Sequence, residues 1–319
     1  MNIQDLLPVL LSFGITAVAT PLLIPVLKRL KAGQTERKEG VKAHLAKAGT
    51  PTMGGIAIIL GILIPGLIYL PGHPSILPVL ILSVGFGLIG FLDDFLKVVL
   101  RRSDGLFPKQ KLALQFLVTA VFLAVLTKVT GVSLELRIPF SRNFIHMGWW
   151  FSIVFAFIVI LATVNGVNFT DGLDGLASSV SAVVALFFTM ASGILGGQVE
   201  PVTLAVFGSL LGFLLWNSYP AKIFMGDTGS LALGGFVAAA AYVLQIPLYI
   251  PIVGFIYAFE LVSVVLQVSY FKATHGKRIF KMTPIHHHFE LCGWSETRIV
   301  ATFTITTALL CLFGLCGLS

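Results

Sequence analysis

The sequence predicts an all-α integral membrane protein of about ten transmembrane helices. Of its 319 residues, 56% are hydrophobic and only 11% are charged, and the apolar residues occur in long uninterrupted runs. Soluble domains carry about 25% charged residues. Strands of a membrane barrel would alternate apolar and polar side chains, so continuous runs favour helices. We therefore expect residues 1–319 to form a single polytopic membrane domain.

Each predicted helix is an apolar segment long enough to cross a hydrocarbon core of about 30 Å. The segments are Leu6–Leu27, Met53–Leu70, Ile76–Phe95, Leu112–Thr130, Trp149–Val164, Leu176–Leu195, Val202–Trp216, Ser230–Pro247, Pro251–Phe271 and Thr297–Leu318. No basic residue precedes the first segment, which is longer than the core of a cleavable signal peptide, so we expect this helix to remain. Glu260 falls within the ninth segment, which indicates either a kinked helix with a wet or protein-facing side or a neutral, hydrogen-bonded acid.

Two features describe the ends of this predicted bundle. All but three of the 21 lysines and arginines (Lys128, Arg137 and Arg142) fall at one end. The positive-inside rule makes that end cytoplasmic, which puts both termini outside and any cleft among the basic loops on the cytoplasmic face. The net charge of +7 is concentrated there and suits anionic lipid and polyphosphate ligands. At the other end, the alternation around Leu134–Ile138 predicts a short strand or hairpin on the outer surface.

The first polar motif is Asp93-Asp94-Phe-Leu-Lys97, at the inner end of the third segment. Asp93 and Lys97 have the spacing of an ion pair on one helix face, which stabilises a helix by only about 0.2–0.5 kcal/mol. Two adjacent carboxylates repel each other, and the negative end of the helix dipole disfavours both. Metal binding or acid–base chemistry would resolve this conflict, so a functional role is favoured.

The second motif, Asn165-Gly-Val-Asn168-Phe-Thr-Asp171-Gly-Leu-Asp174-Gly, leads into the sixth segment. Asn, Asp and Gly are also ordinary turn and helix-capping residues. Four Asn or Asp residues between two apolar segments exceed the need of a single cap. Glycines allow backbone N–H groups to approach a phosphate or sugar closely.

The third motif runs from Asn217 through Lys222 and Phe224 to Gly226-Asp227-Thr-Gly-Ser. Asp227 or the threonine after it has the chemistry of a helix cap. A helix N-terminus behind a Gly-Asp-Thr-Gly turn is equally suited to phosphate, with the acid holding Mg²⁺. Phe224 lies in a polar loop, where its ring has the chemistry to stack on a base.

The fourth motif is Pro284-Ile-His286-His287-His288-Phe-Glu290. Consecutive histidines cannot all face one way on a helix, which argues against a three-histidine zinc site. A polar loop that binds phosphates through imidazole N–H groups is the better interpretation, and a chance run of histidines is the alternative.

The fifth motif, Lys47-Ala-Gly-Thr-Pro-Thr52-Met-Gly-Gly, stands at the entry of the second segment. It fits an ordinary helix start. A lysine beside hydroxyl groups and open backbone fits anion binding equally well.

These motifs place five aspartates at one membrane face in a chain with only 14 acidic residues. They are Asp93, Asp94, Asp171, Asp174 and Asp227. A carboxylate at a membrane boundary must stay solvated, pair with a cation or bind a metal. We therefore predict that they converge in one cleft as a Mg²⁺-dependent site for a phosphorylated substrate.

In combination, the motifs resemble the phospho-MurNAc-pentapeptide translocase family of the polyprenyl-phosphate N-acetylhexosamine-1-phosphate transferases. The resemblance covers essentially the whole chain, and the histidine triplet resembles this family more than relatives that use UDP-GlcNAc. It implies transfer of phospho-MurNAc-pentapeptide from UDP-MurNAc-pentapeptide to undecaprenyl phosphate, giving lipid I and UMP with Mg²⁺. It also implies a homodimer in the bacterial cytoplasmic membrane, in contact with membrane lipid and without a nucleic-acid partner.

The resemblance also implies a role for each motif residue. Asp227 is the expected Mg²⁺ ligand, with Asp93 and Asp94 in the same cleft, and Lys97 and His287 complete the expected catalytic set. The expected substrate-binding residues are Lys47, Thr52, Lys109, Asn165, Asn168, Asp171, Asp174, Asn217, Phe224, Gly226, His286 and His288. Lys47, Asn217 and Phe224 are expected around the uridine, with Phe224 stacked on uracil.

Several alternatives stay open at this stage. Single displacement, with Asp93 or Asp94 assisting the lipid phosphate, is favoured over a covalent aspartyl-phosphate intermediate. A related transferase of GlcNAc-1-phosphate is the nearest rival function. A transporter for an anionic or proton-coupled solute would need ionisable groups near the membrane midplane, where the sequence offers only Glu260.

Overall fold

The computed structural model describes residues 3–30, 49–98, 100 and 105–318, and over this part of the chain it is a bundle of helices. The helices are α1 (Ile3–Arg29), α2 (Gly55–Tyr69), α3 (Ile76–Val98), α4 (Pro108–Lys128), α5 (Trp149–Thr170), α6 (Leu176–Leu195), α7 (Glu200–Asn217), α8 (Gly226–Val243), α9 (Ile250–Val253), α10 (Phe255–Ala273), α11 (Ile285–Leu291) and α12 (Glu296–Cys316). The predicted all-α membrane fold is confirmed.

Nine of the helices in the described ranges are long and apolar enough to cross a membrane: α1 to α7, α10 and α12. The remaining predicted segment, Ser230–Pro247, forms most of α8. This helix starts in the polar residues Gly226–Ser230 and is buried along most of its length. It packs against α3, α5 and α2, so α8 is the central helix of the bundle.

Small residues let α8 approach its neighbours closely, as is usual for packed helices in membranes. A methyl group added at Gly234 would lie 2.5 Å from Val164 Cα on α5. One added at Gly235 would lie 2.6 Å from the backbone oxygen of Leu82 on α3. These contacts fix the three helices that carry the first three polar motifs.

The structure differs from the predicted elements at three places. Helix α5 continues to Thr170, so Asn165 and Asn168 lie on the helix and not in a loop leading into α6. The ninth predicted segment is broken at Gly254 into α9 and α10. The histidine run folds as the short helix α11 and not as a loop.

The predicted hairpin is present at the end of the bundle opposite the aspartates. Strands β1 (Leu136–Arg137) and β2 (Phe144–Ile145) are antiparallel, with Leu136 paired to Ile145. The Arg137 guanidinium donates to the backbone oxygen of Leu318 at 3.1 Å, which ties the hairpin to the end of the chain.

Candidate active site

Two carboxylates and two lysines from three helices form the centre of the site. Asp93 on α3 and Asp227 at the start of α8 face the ammonium groups of Lys97 and Lys111. Lys97 Nζ lies 2.5 Å from Asp93 Oδ2 and 3.4 Å from Asp227 Oδ2. Lys111 Nζ, from the first turns of α4, lies 2.8 Å from Asp227 Oδ2 and 3.6 Å from Asp93 Oδ2. The two acids therefore share both cations.

The neighbouring acid, Asp94, accepts hydrogen bonds from the N-terminus of α8. Its Oδ2 accepts hydrogen bonds from the backbone N–H of Thr228 at 2.9 Å and from the Thr228 hydroxyl at 2.6 Å. Its Oδ1 accepts from the backbone N–H of Asp227 at 3.3 Å. The positive end of one helix dipole thus compensates an acid at the negative end of another. This explains how α3 tolerates paired acids at its C-terminal end.

Helix α5 contributes the side chain that holds Asp227 from the other side. Asn168 Nδ2 donates to Asp227 Oδ1 at 2.9 Å and to Ser230 Oγ at 2.8 Å. Asn165 lies one turn earlier, and its amide donates to the backbone oxygen of Leu161 at 2.7 Å. Asn168 therefore binds Asp227, whereas Asn165 hydrogen-bonds within its own helix.

The two acids that follow α5 form a tight loop beside this centre. Asp174 Oδ2 accepts from the backbone N–H of Ala221 at 2.8 Å, and its own N–H donates to Glu296 Oε1 on α12 at 2.6 Å. The pKa of Asp171 is raised well above the usual carboxyl range. Burial is the largest cause, and repulsion from the negative charges of Asp227, Asp94 and Asp174 adds to it. All five predicted aspartates therefore belong to one group of interacting acids.

The fifth motif forms a wall of the site through backbone pairing with the third. The Phe224 N–H donates to the Pro51 oxygen at 2.8 Å, and the Gly54 N–H donates to the Phe224 oxygen at 2.9 Å. A methyl group at Gly226 would lie 2.6 Å from both Thr52 Oγ1 and Asp94 Oδ2. Gly226 also has φ +69°, a left-handed conformation that favours glycine. Thr52 is thereby placed against the start of α8.

Asn217 holds the loop between α7 and α8. Its Nδ2 donates to the backbone oxygen of Ile223 at 3.0 Å, and its Oδ1 accepts from the Ser178 hydroxyl at 2.8 Å. Phe224, which follows Ile223, is half-buried. Lys222 lies 5.1 Å from the centre of the Trp216 ring.

The three histidines of α11 face three different partners, as consecutive residues on a helix must. His286 is buried and its Nδ1 lies 3.1 Å from Glu260 Oε1 on α10. His287 Nδ1 lies 2.8 Å from Glu290 Oε2. His288 Nδ1 accepts from the backbone N–H of Lys281 at 3.1 Å. The His286 ring packs against Gly172, so α11 lies against the loop of Asp171 and Asp174.

The two other predicted lysines differ in what the structure describes. Lys47 falls outside the described residues. Lys109 is exposed at the start of α4, while Lys111, two residues later, contacts the aspartates. The motifs did not single out Lys111, Thr228 or Glu296, and they left the role of Glu260 open. The sequence places Lys111 in the same basic segment as Lys109, but nothing in the sequence favours one of these lysines over the other as a site residue.

The donor set of this site suits a magnesium ion. Within residues 3–30, 49–98, 100 and 105–318, no three His, Cys, Asp or Glu side chains group closely enough to hold a metal alone. Magnesium, however, is usually bound by one or two carboxylates together with water and substrate phosphates. Asp93 Oδ2 and Asp227 Oδ2 converge on the same two ammonium groups, so this position already holds positive charge between two hard oxygen ligands. The residues therefore fit a magnesium site formed by the carboxylates of Asp93 and Asp227, while Asp94 faces α8.

Comparisons with known proteins identify the family. Residues 76–245 match the family model for glycosyl transferase family 4, and residues 47–59 match signature 1 of phospho-N-acetylmuramoyl-pentapeptide-transferase. Proteins of that name are 47% identical in Caldicellulosiruptor bescii, over 99% of this chain and 98% of the relative, and 47% identical in Acetivibrio thermocellus, over 96% and 92%. The one from Clostridioides difficile is 49% identical over 94% of each chain.

Proposed function

This chain belongs to the phospho-N-acetylmuramoyl-pentapeptide-transferase family, and we propose that it transfers phospho-MurNAc-pentapeptide from UDP-MurNAc-pentapeptide to undecaprenyl phosphate. The products are lipid I and UMP. Full-length identity of 47% to proteins of that name supports the reaction class.

The observation that carries the proposal is the pair of lysines shared between Asp93 and Asp227 at one end of an apolar bundle. The reaction brings a phosphate monoester against a diphosphate, so several negative charges must be neutralised at one point. Lys97 and Lys111 provide two cations within reach of the same oxygen atoms. A membrane-embedded bundle with this cluster at its end suits a lipid acceptor and a water-soluble donor.

We propose single displacement. An oxygen of the lipid phosphate attacks the phosphorus that carries the sugar, a new diphosphate bond forms, and the bond to UMP breaks. Lys97 and Lys111 stabilise the charge on the transferred and leaving phosphates. Asp93 orients the acceptor phosphate through Oδ2, the oxygen that faces both lysines, since both oxygens of Asp94 accept hydrogen bonds from α8. Asp94 acts by holding Asp227 in place.

Magnesium would be held by Asp227 and Asp93, and when bound it would neutralise the diphosphate oxygens. In its presence the two lysine ammonium groups would contact phosphate oxygens. Asn168 keeps Asp227 oriented through the other carboxylate oxygen.

The remaining motif residues are proposed to bind the donor. Phe224 would stack on uracil, with Asn217 holding the loop that presents it. The other proposed donor or phosphate contacts are Lys47, Thr52, Lys109, Asn165, Asn168, Asp171, Asp174, Gly226, His286, His287 and His288. Asn165 and Lys109 have the weakest structural support, because the Asn165 amide donates to Leu161 and Lys109 is exposed.

We further propose that the site faces the cytoplasm of a bacterium. The basic residues that surround it are the support, through the positive-inside rule. Both termini then lie outside. A homodimer stays a prediction, which cross-linking in native membranes would test.

The decisive experiment measures UMP release by purified protein with undecaprenyl phosphate and Mg²⁺. UDP-MurNAc-pentapeptide as donor should give lipid I, whereas UDP-GlcNAc should give no product. Product from UDP-GlcNAc alone would identify the rival transferase. Solute uptake into proteoliposomes without UMP release would favour a transporter and overturn the proposal.

A further inference from the structure

A carboxylate and an imidazole are buried together outside the lysine–aspartate cluster. Glu260 lies within α10, a candidate membrane span, and its side chain is fully buried. Its Oε1 lies 3.1 Å from Nδ1 of His286, whose side chain is only 1% exposed. Burying a carboxylate in a membrane helix is unfavourable unless the group has a specific partner. The structure supplies that partner to Oε1 from α11, 26 residues further along the chain, while Oε2 has no hydrogen-bond partner among the described residues.

The other edge of the imidazole faces the acidic loop. Nε2 and Cε1 of His286 lie so close to Gly172 that a methyl group added there would collide with both. Gly172 follows Asp171 directly and stands two residues before Asp174. The orientation of this one ring therefore sets the position of the loop that carries both acids.

The geometry favours one tautomer of His286. A carboxylate only accepts hydrogen bonds, so the ring nitrogen that faces it carries the proton. Among the residues that the structure describes, Nε2 has no hydrogen-bond partner. A proton on Nε2 would be a buried donor without an acceptor, which is unfavourable. The neutral ring with Nδ1–H toward Glu260 satisfies both conditions.

The same loop is held at its far end by a second acid. Glu296 on α12 accepts a hydrogen bond from the Asp174 N–H at 2.6 Å. The loop is thus fixed at Gly172 through the Glu260–His286 pair and at Asp174 through Glu296. Because Asp171 interacts electrostatically with Asp227, displacement at Gly172 would alter the field at the reacting phosphates.

We propose that Glu260 is a positioning residue for the transfer reaction: it fixes the tautomer and orientation of His286, which in turn holds the loop of Asp171 and Asp174 against Asp227. The inference rests on the proposed function for its kinetic consequence. Its structural part, the tautomer of His286, can be tested without any activity.

The structural test uses protein labelled with ¹⁵N-histidine and NMR. The signals of His286 are assigned by their loss in His286→Gln. The parent should show a protonated Nδ1 and an unprotonated Nε2, and Glu260→Ala should give a mixture of tautomers. A parent with protonated Nε2 would overturn the proposal, whether or not the protein is an active transferase.

The kinetic test compares two substitutions at Glu260. Glu260→Gln keeps an oxygen that accepts from Nδ1–H, whereas Glu260→Ala removes it. We expect Glu260→Ala to lower kcat about 50-fold and Glu260→Gln to stay within about fivefold of the parent, since the tautomer is preserved. A glutamine variant as inactive as the alanine variant, or an alanine variant of normal kcat, would overturn the proposal.

The chain contains a matched control. Glu135 lies 3.0 Å from Nδ1 of His146, a glutamate–histidine pair of nearly the same length, but exposed at the opposite end of the bundle. Glu135→Ala should change neither kcat nor the ¹⁵N signals of His286. If the parent releases no UMP while the NMR result is as expected, the proposed function fails and the Glu260–His286 arrangement stands.

Discussion

Lys111 Nζ lies 2.8 Å from Asp227 Oδ2, although 116 residues separate them in the chain. The contact joins the first turns of α4 to the start of α8. It places a cation from a loop that the sequence marks only as basic at the centre of the candidate site.

Lys111→Ala should lower kcat by about 100-fold, because it removes one of two cations that neutralise the reacting phosphates. Lys128→Ala is the matched control, since it removes an exposed lysine at the opposite end of the same helix. It should keep kcat within about threefold of the parent. UMP release measures both, and a loss in Lys128→Ala as large as that in Lys111→Ala would contradict the site geometry.

Asp94→Ala should destabilise the protein by about 1–3 kcal/mol, because it leaves the first N–H groups of α8 without an acceptor. Asp94→Asn keeps one accepting oxygen, so its melting temperature should fall less, while its turnover still drops by about 100-fold as Asp227 shifts. Thermal unfolding in detergent and UMP release give the two readings. Glu200→Gln, in the first turn of α7 at the other end of the bundle, is the control and should alter neither the melting temperature nor the turnover. If Asp94→Ala is as stable as the parent, Asp94 does not cap α8.

The membrane helices and the shared location of the acids were predictable, whereas the pairing within the site was not. Apolar runs report burial in lipid directly, and loops at one membrane face are necessarily near one another. Residues 109 and 111, however, point about 200° apart on a helix, and only the packing of α4 decides which faces Asp227. Lys109 was expected in the site from the family resemblance, which carries no information about how α4 packs.

The end of α5 is a second feature that the sequence did not predict correctly. Asn165, Asn168 and Thr170 have poor helix propensity, so the sequence predicted a loop there. In the structure Asn168 hydrogen-bonds with Asp227 and Ser230, and this tertiary contact holds the last turns in helical form. Likewise, the backbone donors that Asp94 satisfies lie on another helix more than a hundred residues away.

Gly90→Ala should unfold or inactivate the protein, because the added methyl group would collide with the backbone oxygen of Asp227. Backbone cannot move aside as a flexible side chain can, so we expect a loss of about 3 kcal/mol or more. Gly193→Ala is the control, since nothing lies within 4 Å of its added methyl group in α6. Melting temperatures in one detergent compare the two, and a Gly90→Ala protein as stable as Gly193→Ala would refute the close packing of α3 on α8.

The raised pKa of Asp171 predicts how stability depends on pH without metal. Because the folded protein holds this proton to higher pH than the unfolded chain, its contribution is complete below the usual carboxyl range and is lost as pH rises through the folded pKa. The melting temperature in EDTA should therefore decline as the pH rises above the usual carboxyl range. Asp171→Asn should make that decline shallower, while Glu135→Gln, an exposed acid, should leave it unchanged. Parallel curves for Asp171→Asn and the parent would contradict the shift.

Asp227→Asn should lower kcat by about 1,000-fold and abolish stabilisation by Mg²⁺, because Asp227 Oδ2 is the oxygen on which both lysines converge. A ligand that binds only the folded state raises stability by about 2.7 kcal/mol at 100 times its Kd, so Mg²⁺ should raise the melting temperature of the EDTA-treated parent. The variant should lose this rise while its melting temperature without metal stays close to that of the parent. Asp174→Asn is the matched control, since Asp174 Oδ2 accepts from the Ala221 N–H and the substitution should leave the response to Mg²⁺ intact. If Asp227→Asn is still stabilised by Mg²⁺ as strongly as the parent, the metal is held elsewhere.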